Sequence, residues 1–181
     1  MKYCIDQLRL KWKLKETETS MTITRDELRI MMEENLEKAK TLLLRDGYVA
    51  PMGFIFIGKE IGVCPLRFKD DKEKAKQLYA FKTFAKIKNA DAVFVIIESW
   101  YVSTTTDKID KSITPSKHPD RKECIIAIGE CKEGDITISQ KFGREKRKKR
   151  KIIFEDKMEM KGMESAIFNF GIKEEHDVAY G

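Results

Sequence analysis

A chain of 181 residues with 41% hydrophobic and 36% charged side chains is too apolar to be disordered and too polar to lie within a membrane. Its length fits one domain, and no apolar run approaches the roughly 20 residues that a membrane-spanning helix needs. The N-terminus lacks the apolar core of a secretory signal, so we expect a cytoplasmic protein. Four cysteines without a Cys-x-x-Cys pair, and only two histidines, are not typical of a disulfide framework or a zinc site.

The first 22 residues are predicted to be an N-terminal extension, for which a strand and a helix both remain open. Alternate positions are apolar and basic, which favours a half-buried strand, although a helical stripe also fits. The alternating apolar residues are Leu8, Leu10, Trp12 and Leu14. A helix is predicted next, because Thr24 and Glu27 form the pattern of a capping box and Gly47 has the position of a C-terminal cap.

The rest of the chain is predicted to contain more strands than helices. Two short strands are expected around a tight turn at Gly58, and a second helix from Asp70 or Asp71 to Asn89. Three strands follow, in the stretches DAVFVIIESWYV, ECIIAIGEC and DITISQKF. The last of these alternates as an outer strand does, and the stretch KIIFED is predicted to pair with it.

This order of elements predicts an α+β domain over residues 23–172, with one antiparallel sheet and two main helices. Because several strands are apolar on both faces, each face must be covered by a helix, a terminus or a second subunit. The order α-ββ-α-βββ resembles that of roadblock, longin and profilin-like domains in topology alone, which carries no function by itself. Residues 173–181 are predicted to be a flexible tail.

A concentrated basic run separates the last two predicted strands. Residues 141–151 contain one Glu and eight Lys or Arg, in a chain whose net charge is +6. The basic residues are Lys141, Arg144, Lys146, Arg147, Lys148, Lys149, Arg150 and Lys151. Three interpretations stay open: a contact to the phosphates of DNA, RNA or another polyanion, a solvated hairpin tip whose charge discourages aggregation, or a contact to a protein partner. Apart from Phe142, no aromatic side chain within the run offers a stacking platform for bases.

Two short motifs flank the polar connection after the third predicted strand. Residues 98–100 (ESW) end that strand, and residues 115–123 (PSKHPDRKE) precede the next one. The pair resembles a motif of uncharacterised prokaryotic and phage-associated proteins, in which a Glu-x-Trp strand end precedes a Pro-Ser-x-x-Pro-Asp-Arg-x-Glu loop and an apolar strand. The resemblance covers about residues 40–135 and implies a phage-associated family without a known activity.

The polar residues of these motifs allow two interpretations. In one, Glu98 pairs with Arg121 in a clasp that fixes the long loop against the sheet. In the other, four residues converge as acid, base or metal ligands of a metal-dependent hydrolase: Glu98, His118, Asp120 and Glu130. One histidine among scattered carboxylates lacks the paired spacing of a metalloprotease motif, and no glycine-rich phosphate loop indicates a nucleotide. We therefore expect a binding protein without metal or cofactor, and a homodimer built on the sheet or first helix is the alternative.

Overall fold

The computed structural model describes residues 22–58, 60–102, 117–145 and 151–159. In that part of the chain, two helices and a six-stranded sheet form the predicted α+β fold. The helices are α1 (Arg25–Asp46) and α2 (Asp71–Ile87). The strands are β1 (Met52–Ile57), β2 (Glu60–Pro65), β3 (Ala92–Tyr101), β4 (Lys122–Cys131), β5 (Gly134–Arg144) and β6 (Ile152–Glu159). The predicted N-terminal element and the predicted tail lie outside the described residues.

All six strands belong to one antiparallel sheet in the order β2-β1-β3-β4-β5-β6. Strands that follow one another in the chain are neighbours in the sheet, with one exception. Helix α2 connects β2 to β3, and β3 lies on the other side of β1. The predicted pairing across the basic run is confirmed, since Phe142 on β5 opposes Phe154 on β6. The basic run therefore connects two adjacent strands.

The expectation that DITISQKF forms an outer strand is wrong, because β5 pairs with β4 on one side and with β6 on the other. The alternation of this stretch has another cause. Ile136 and Ile138 pack beneath α1, while Thr137 and Ser139 are only 5% and 4% exposed on the opposite face. Small hydroxyl side chains thus alternate with isoleucine in a strand that is buried on both faces.

Local signals determine both ends of α1, as the sequence predicts. The Thr24 hydroxyl accepts a hydrogen bond from the Glu27 N–H, and the Glu27 carboxylate accepts one from the Thr24 N–H. Gly47 ends the helix in the left-handed region, at φ 79°, where glycine has no steric penalty. The helix packs on β3, β4 and β5. Its buried residues are Leu28, Met32, Leu36, Ala39 and Leu43.

The second helix covers the opposite face of the sheet. Asp70 caps its N-terminus by accepting a hydrogen bond from the Glu73 N–H, and the helix ends at Ile87, two residues before the predicted Asn89. Its buried residues pack against β1, β3 and β4 and are Leu78, Phe81 and Ala85. One helix on each face therefore buries the strands that are apolar on both sides. In the described ranges, neither helix is long and apolar enough to cross a bilayer.

Candidate functional site

The basic run connects the two strands of the β5–β6 hairpin. The Glu145 N–H donates a hydrogen bond of 3.0 Å to the Lys151 carbonyl, and Arg144 opposes Ile152 in the register of the strands. By chain connectivity alone, residues 146–150 join the two strands beyond this closing bond. These five residues, all Lys or Arg, lie outside the described part of the chain. Lys151, which ends the run, is exposed.

Arg144 is not a free cation, because its guanidinium binds three groups of the domain. Nη2 donates to Glu98 Oε1 and Nη1 donates to the Gly47 carbonyl, both at 2.8 Å. Nε lies 3.0 Å from both carboxylate oxygens of Glu123. The side chains of Arg144, Glu98 and Glu123 together with the Gly47 carbonyl are called the Arg144 clasp below. The clasp ties the base of the hairpin to β3, to β4 and to the C-terminal end of α1.

The clasp lies on the face of the sheet that carries α1. Glu98 follows Phe94 and Ile96 in the alternation of β3, and both of these residues pack beneath α1. Glu123 precedes Ile125 on β4 in the same way. Side-chain exposures of 28% for Arg144, 25% for Glu98 and 18% for Glu123 show that the three charges are largely shielded from water.

Lys141, the first residue of the basic run, is also engaged with the domain. Its Nζ lies 5.0 Å from the centre of the Tyr101 ring, and its register partner on β4 is Cys124. Burial raises the pKa of the Cys124 thiol from 9.0 to about 11, although Lys141 and Lys74 act in the opposite direction. A thiol that stays protonated is a poor nucleophile, so Cys124 is a packing residue rather than a reactive one.

The predicted ion pair between Glu98 and Arg121 is wrong, because the cation that binds Glu98 is Arg144. Glu98 binds Arg144 through one oxygen, and the other accepts a hydrogen bond of 3.1 Å from the Val49 N–H. Arg121 lies over the Trp100 ring, with Cζ 4.9 Å from the ring centre. The prediction paired residues of successive elements, whereas the sheet brings the end of β5 over β4 to the same face as Glu98. Glu98 thus belongs to a clasp whose cation comes from the basic run.

The four polar residues of the hydrolase hypothesis are not brought together. Glu98 and Glu130 are five positions apart in the register of β3 and β4, about 17 Å at about 3.4 Å per residue. They also point to opposite faces, since Glu98 alternates with residues beneath α1 and Glu130 with residues beneath α2. His118 and Asp120 contact each other, through an Asp120 N–H that donates to His118 Nδ1 at 3.1 Å. Within the described ranges, no three His, Cys, Asp or Glu side chains are grouped as a metal site requires.

Sequence reasoning missed two features of this end of the sheet. The first feature is the pairing of Glu123 with Arg144. The alternation of β4 indicates that Glu123 lies on the α1 face. The sequence does not indicate its partner, because it does not give the neighbours of the strand that carries Arg144. The second feature is a pair of exposed aromatic side chains beside the clasp, Tyr48 at 61% and Trp100 at 39% exposure. Tyr48 follows the predicted helix cap directly, and nothing in the local sequence indicates that it lies beside Trp100's strand.

The fold and the site define a small α+β protein whose antiparallel sheet carries a clasped, basic β-hairpin. The chain belongs to the family of bacteriophage lambda protein ea47, whose family model matches residues 5–172. The match spans all of the described residues, and it confirms the predicted membership of a phage-associated family. No match to a curated protein or to a solved structure was found.

Proposed function

We propose that this protein is a cytoplasmic, non-enzymatic binding protein that contacts a polyanion, DNA or RNA, through residues 146–151. The proposal is supported by one observation: the first basic side chains of the run contact the domain, and the other six follow the point where the hairpin closes. Arg144 and Lys141 contact the domain, whereas the hairpin closes between Glu145 and Lys151. The predicted contact therefore narrows from eight basic residues to six consecutive ones, with no acidic residue among them.

The charge balance of the chain supports the same six residues. The net charge is +6, and residues 146–151 are six Lys or Arg residues, so the rest of the chain is neutral in sum. A phosphate backbone binds such side chains by releasing its condensed counterions. Because the rest of the chain is neutral in sum, it adds little to the long-range electrostatic field of the protein. The charge of residues 146–151 is therefore expected to guide the approach of a polyanion.

The clasp also supports the proposal through the way it holds the loop. Arg144 immediately precedes Glu145, whose N–H closes the hairpin, and it is bonded to β3, β4 and the end of α1. Fixing the base of a binding loop lowers the conformational entropy that is lost when a ligand binds. The hairpin is therefore anchored at the position where the six basic residues begin.

The proposal is tested by fluorescence anisotropy of labelled DNA and RNA with a variant in which residues 146–151 are all Gln. We expect binding at low salt by the wild-type protein and its loss in the variant, because the six phosphate-binding cations are gone. The matched control removes the same charge at exposed positions elsewhere. It replaces Lys38, Lys69, Lys72, Lys76, Lys86 and Lys132 with Gln.

The control separates a specific loop from a general effect of net charge. If binding survives in the control and is lost in the loop variant, the loop is the contact. If both variants lose binding equally, net charge alone is responsible and the proposal is wrong. Absence of binding by the wild-type protein at low salt also contradicts it.

A homodimer is the second candidate, and the edge strand β2 favours it. Ile61 is 58% exposed and Val63 is 42% exposed on this strand, which has a neighbouring strand on one side only within the described sheet. Antiparallel pairing of two β2 strands would continue the sheet across a twofold axis. Light scattering at increasing protein concentration tests this candidate, since a constant monomer mass contradicts it and a rise to twice that mass supports it.

A further inference from the structure

A glycine interrupts a row of side chains that crosses the α2 face of the sheet, near the end where the hairpin closes. The register places Tyr101 on β3 opposite Lys122 on β4, and Gly143 on β5 opposite Ile153 on β6. Continued by one position, the register of β4 and β5 sets Lys122 beside Gly143. Four adjacent strands thus contribute one row, in which Gly143 alone has no side chain.

The position above Gly143 is open to solvent. Gly143 is exposed, and a Cβ added to it would meet no residue within 4 Å, its chain neighbours aside. Neighbouring strands are about 4.8 Å apart, so β4 and β6 are roughly 10 Å apart across this position. Glycine inside a strand often marks a place where a ligand approaches the backbone closely. This open position is called the Gly143 gap below, and the side chains around it are Tyr101, Lys122, Lys141 and Ile153.

Two ammonium groups border the gap. Lys141 precedes Gly143 on the same face of β5, and its Nζ lies 5.0 Å from the centre of the Tyr101 ring, so the side chain extends over β4 toward β3. The register of β5 and β6 shifts beside Lys141, but its ammonium forms no ion pair with a described carboxylate of β6. Lys122 is exposed, and among the described residues it has no ion pair either. Both cations are therefore available to an anion in the gap.

Tyr101 contributes a phenol that stays protonated. Burial, and after it the carboxylate of Glu155, raise the pKa of this phenol. A protonated phenol donates a hydrogen bond to an anion. The ring packs against the buried cluster beneath α2, so its orientation is fixed by the core. The gap thus combines two charged donors with one neutral donor.

A third lysine, Lys74 on α2, adds to the positive charge of this place. Burial raises the pKa of the Cys124 thiol, whereas Lys141 and Lys74 lower it, so both ammonium groups lie near this thiol. Burial also lowers the pKa of Lys74, because a half-buried ammonium has lost part of its water. The carboxylates that act on these groups are those of Asp71 and Glu155. Three ammonium groups, with the lysine of β4, against two carboxylates leave the cluster positive.

The cations of the gap are lysines, which favours a phosphate group over a carboxylate. Arginine matches a planar carboxylate with two parallel hydrogen bonds, whereas lysine binds phosphate as a point charge. The arginine at this end of β5, Arg144, is bound in the clasp on the opposite face. We infer that the Gly143 gap binds a phosphate group, with Lys122 and Lys141 as its cations and the backbone of Gly143 as its floor. This site lies on the domain itself and goes beyond the contact proposed for the hairpin.

The site is tested by titrating isotope-labelled protein with inorganic phosphate at constant ionic strength and following the amide signals by NMR. We expect saturable shifts at Gly143 and at the two lysines that border the gap. Lys122→Gln should weaken phosphate binding by roughly 10- to 100-fold, the range for loss of a hydrogen bond to a charged group. Gly143→Val changes no charge and should abolish binding, because its side chain fills the gap.

Lys132→Gln is the matched control, because Lys132 is exposed just beyond the opposite end of β4 and its change removes the same charge. At roughly 30 Å from the gap its charge is screened, so phosphate binding should stay within about twofold of wild type. Urea denaturation checks that Gly143→Val is folded. If it is not, Lys122→Gln still tests the site, since Lys122 is exposed and its substitution leaves the core intact. Absence of saturable shifts in the wild-type protein, or equal weakening by Lys122→Gln and Lys132→Gln, would overturn the inference.

The same variants distinguish two sources of the phosphate group, a free small molecule and a nucleic-acid backbone. If Gly143→Val loses inorganic phosphate and also reduces the salt slope of DNA binding by about 1, the gap takes a backbone phosphate. If it loses inorganic phosphate alone, the gap takes a small molecule. The variant with Gln at residues 146–151 should still bind inorganic phosphate, so the gap and the hairpin contact fail separately. Loss of phosphate binding in that variant, with retention in Gly143→Val, would show that the gap is not the site.

Discussion

Arg144 and Glu98 form a hydrogen bond of 2.8 Å although they lie on β5 and β3, with β4 between them. The same guanidinium binds Glu123 on β4 at 3.0 Å and the Gly47 carbonyl at the end of α1 at 2.8 Å. One side chain therefore joins three strands and a helix end. It does so at the residue before the hairpin closes, so the base of the basic loop is part of the domain.

The first prediction concerns the stability that this clasp contributes. Arg144→Gln leaves Glu98 and Glu123 largely shielded without their cation, and it removes the donor to the Gly47 carbonyl. We expect the free energy of unfolding to fall by about 1–3 kcal/mol, between the values for surface and buried ion pairs. Urea denaturation monitored by circular dichroism measures it.

Arg67→Gln is the control for that measurement, because Arg67 is exposed and its change removes the same charge. Its effect should stay within about 0.5 kcal/mol. A double-mutant cycle with Glu98→Gln then isolates the contact, with an expected coupling of about 0.5–3 kcal/mol. Additive effects of the two substitutions would show that the hydrogen bond does not contribute.

The second prediction concerns the packing of α1 on the sheet at Gly129. A methyl group added at Gly129 would lie 2.7 Å from Met32 Sδ and 2.9 Å from Phe94 Cβ. Gly129→Ala must therefore displace buried groups and should destabilise the protein by about 1–3 kcal/mol. Gly143→Ala is the matched control on the next strand, since nothing lies within 4 Å of its added methyl. Equal unfolding midpoints for the two variants would contradict the described packing of α1.

The third prediction concerns alkaline pH and follows from Cys124. Burial raises the pKa of this thiol to about 11 in the folded protein, against 9.0 for an ordinary thiol. Above pH 9 the unfolded chain has released a proton that the folded protein still holds, so stability is full below about pH 9 and falls as the pH rises toward 11. Between pH 8 and pH 10 the wild-type protein should lose roughly 1 kcal/mol more than Cys124→Ala.

That difference is obtained from urea denaturation of both proteins at the two pH values. Groups that do not interact with Cys124 titrate alike in both proteins and cancel in the comparison, whereas Lys74 and Tyr101 interact with the Cys124 charge and belong to the measured difference. Identical losses would show that Cys124 does not titrate differently in the folded and unfolded states. Rapid modification of Cys124 by a thiol reagent in the native protein would also contradict a raised pKa of this thiol.

The elements of the fold could be predicted from the sequence where the signal is local. The capping box of Thr24 and Glu27, the cap at Gly47 and the unbroken apolar run of β3 each depend on residues a few positions apart. Burial of β5 could not be predicted in this way. Its Thr and Ser residues are polar by type, and only the positions of β4 and β6 on either side show that they are buried.

The site was predictable in part for the same reason. The basic run and its place between two paired strands follow from the sequence directly. The partner of Glu98 does not, because Arg144 reaches it over β4 and the order of strands in the sheet decides which side chains meet. Tyr48 and Trp100 likewise become neighbours of one clasp only through hydrogen bonds that join α1, β3 and β5.

The salt dependence of nucleic-acid binding tests the central proposal most directly. If residues 146–151 contact six phosphates of a duplex, the logarithm of the binding constant should fall against the logarithm of salt concentration with a slope of about −5. That slope corresponds to a loss of roughly a thousandfold between about 50 and 200 mM salt, and it should disappear in the loop variant. A slope near zero, or no binding at about 50 mM salt, would contradict the proposal that this loop binds a phosphate backbone.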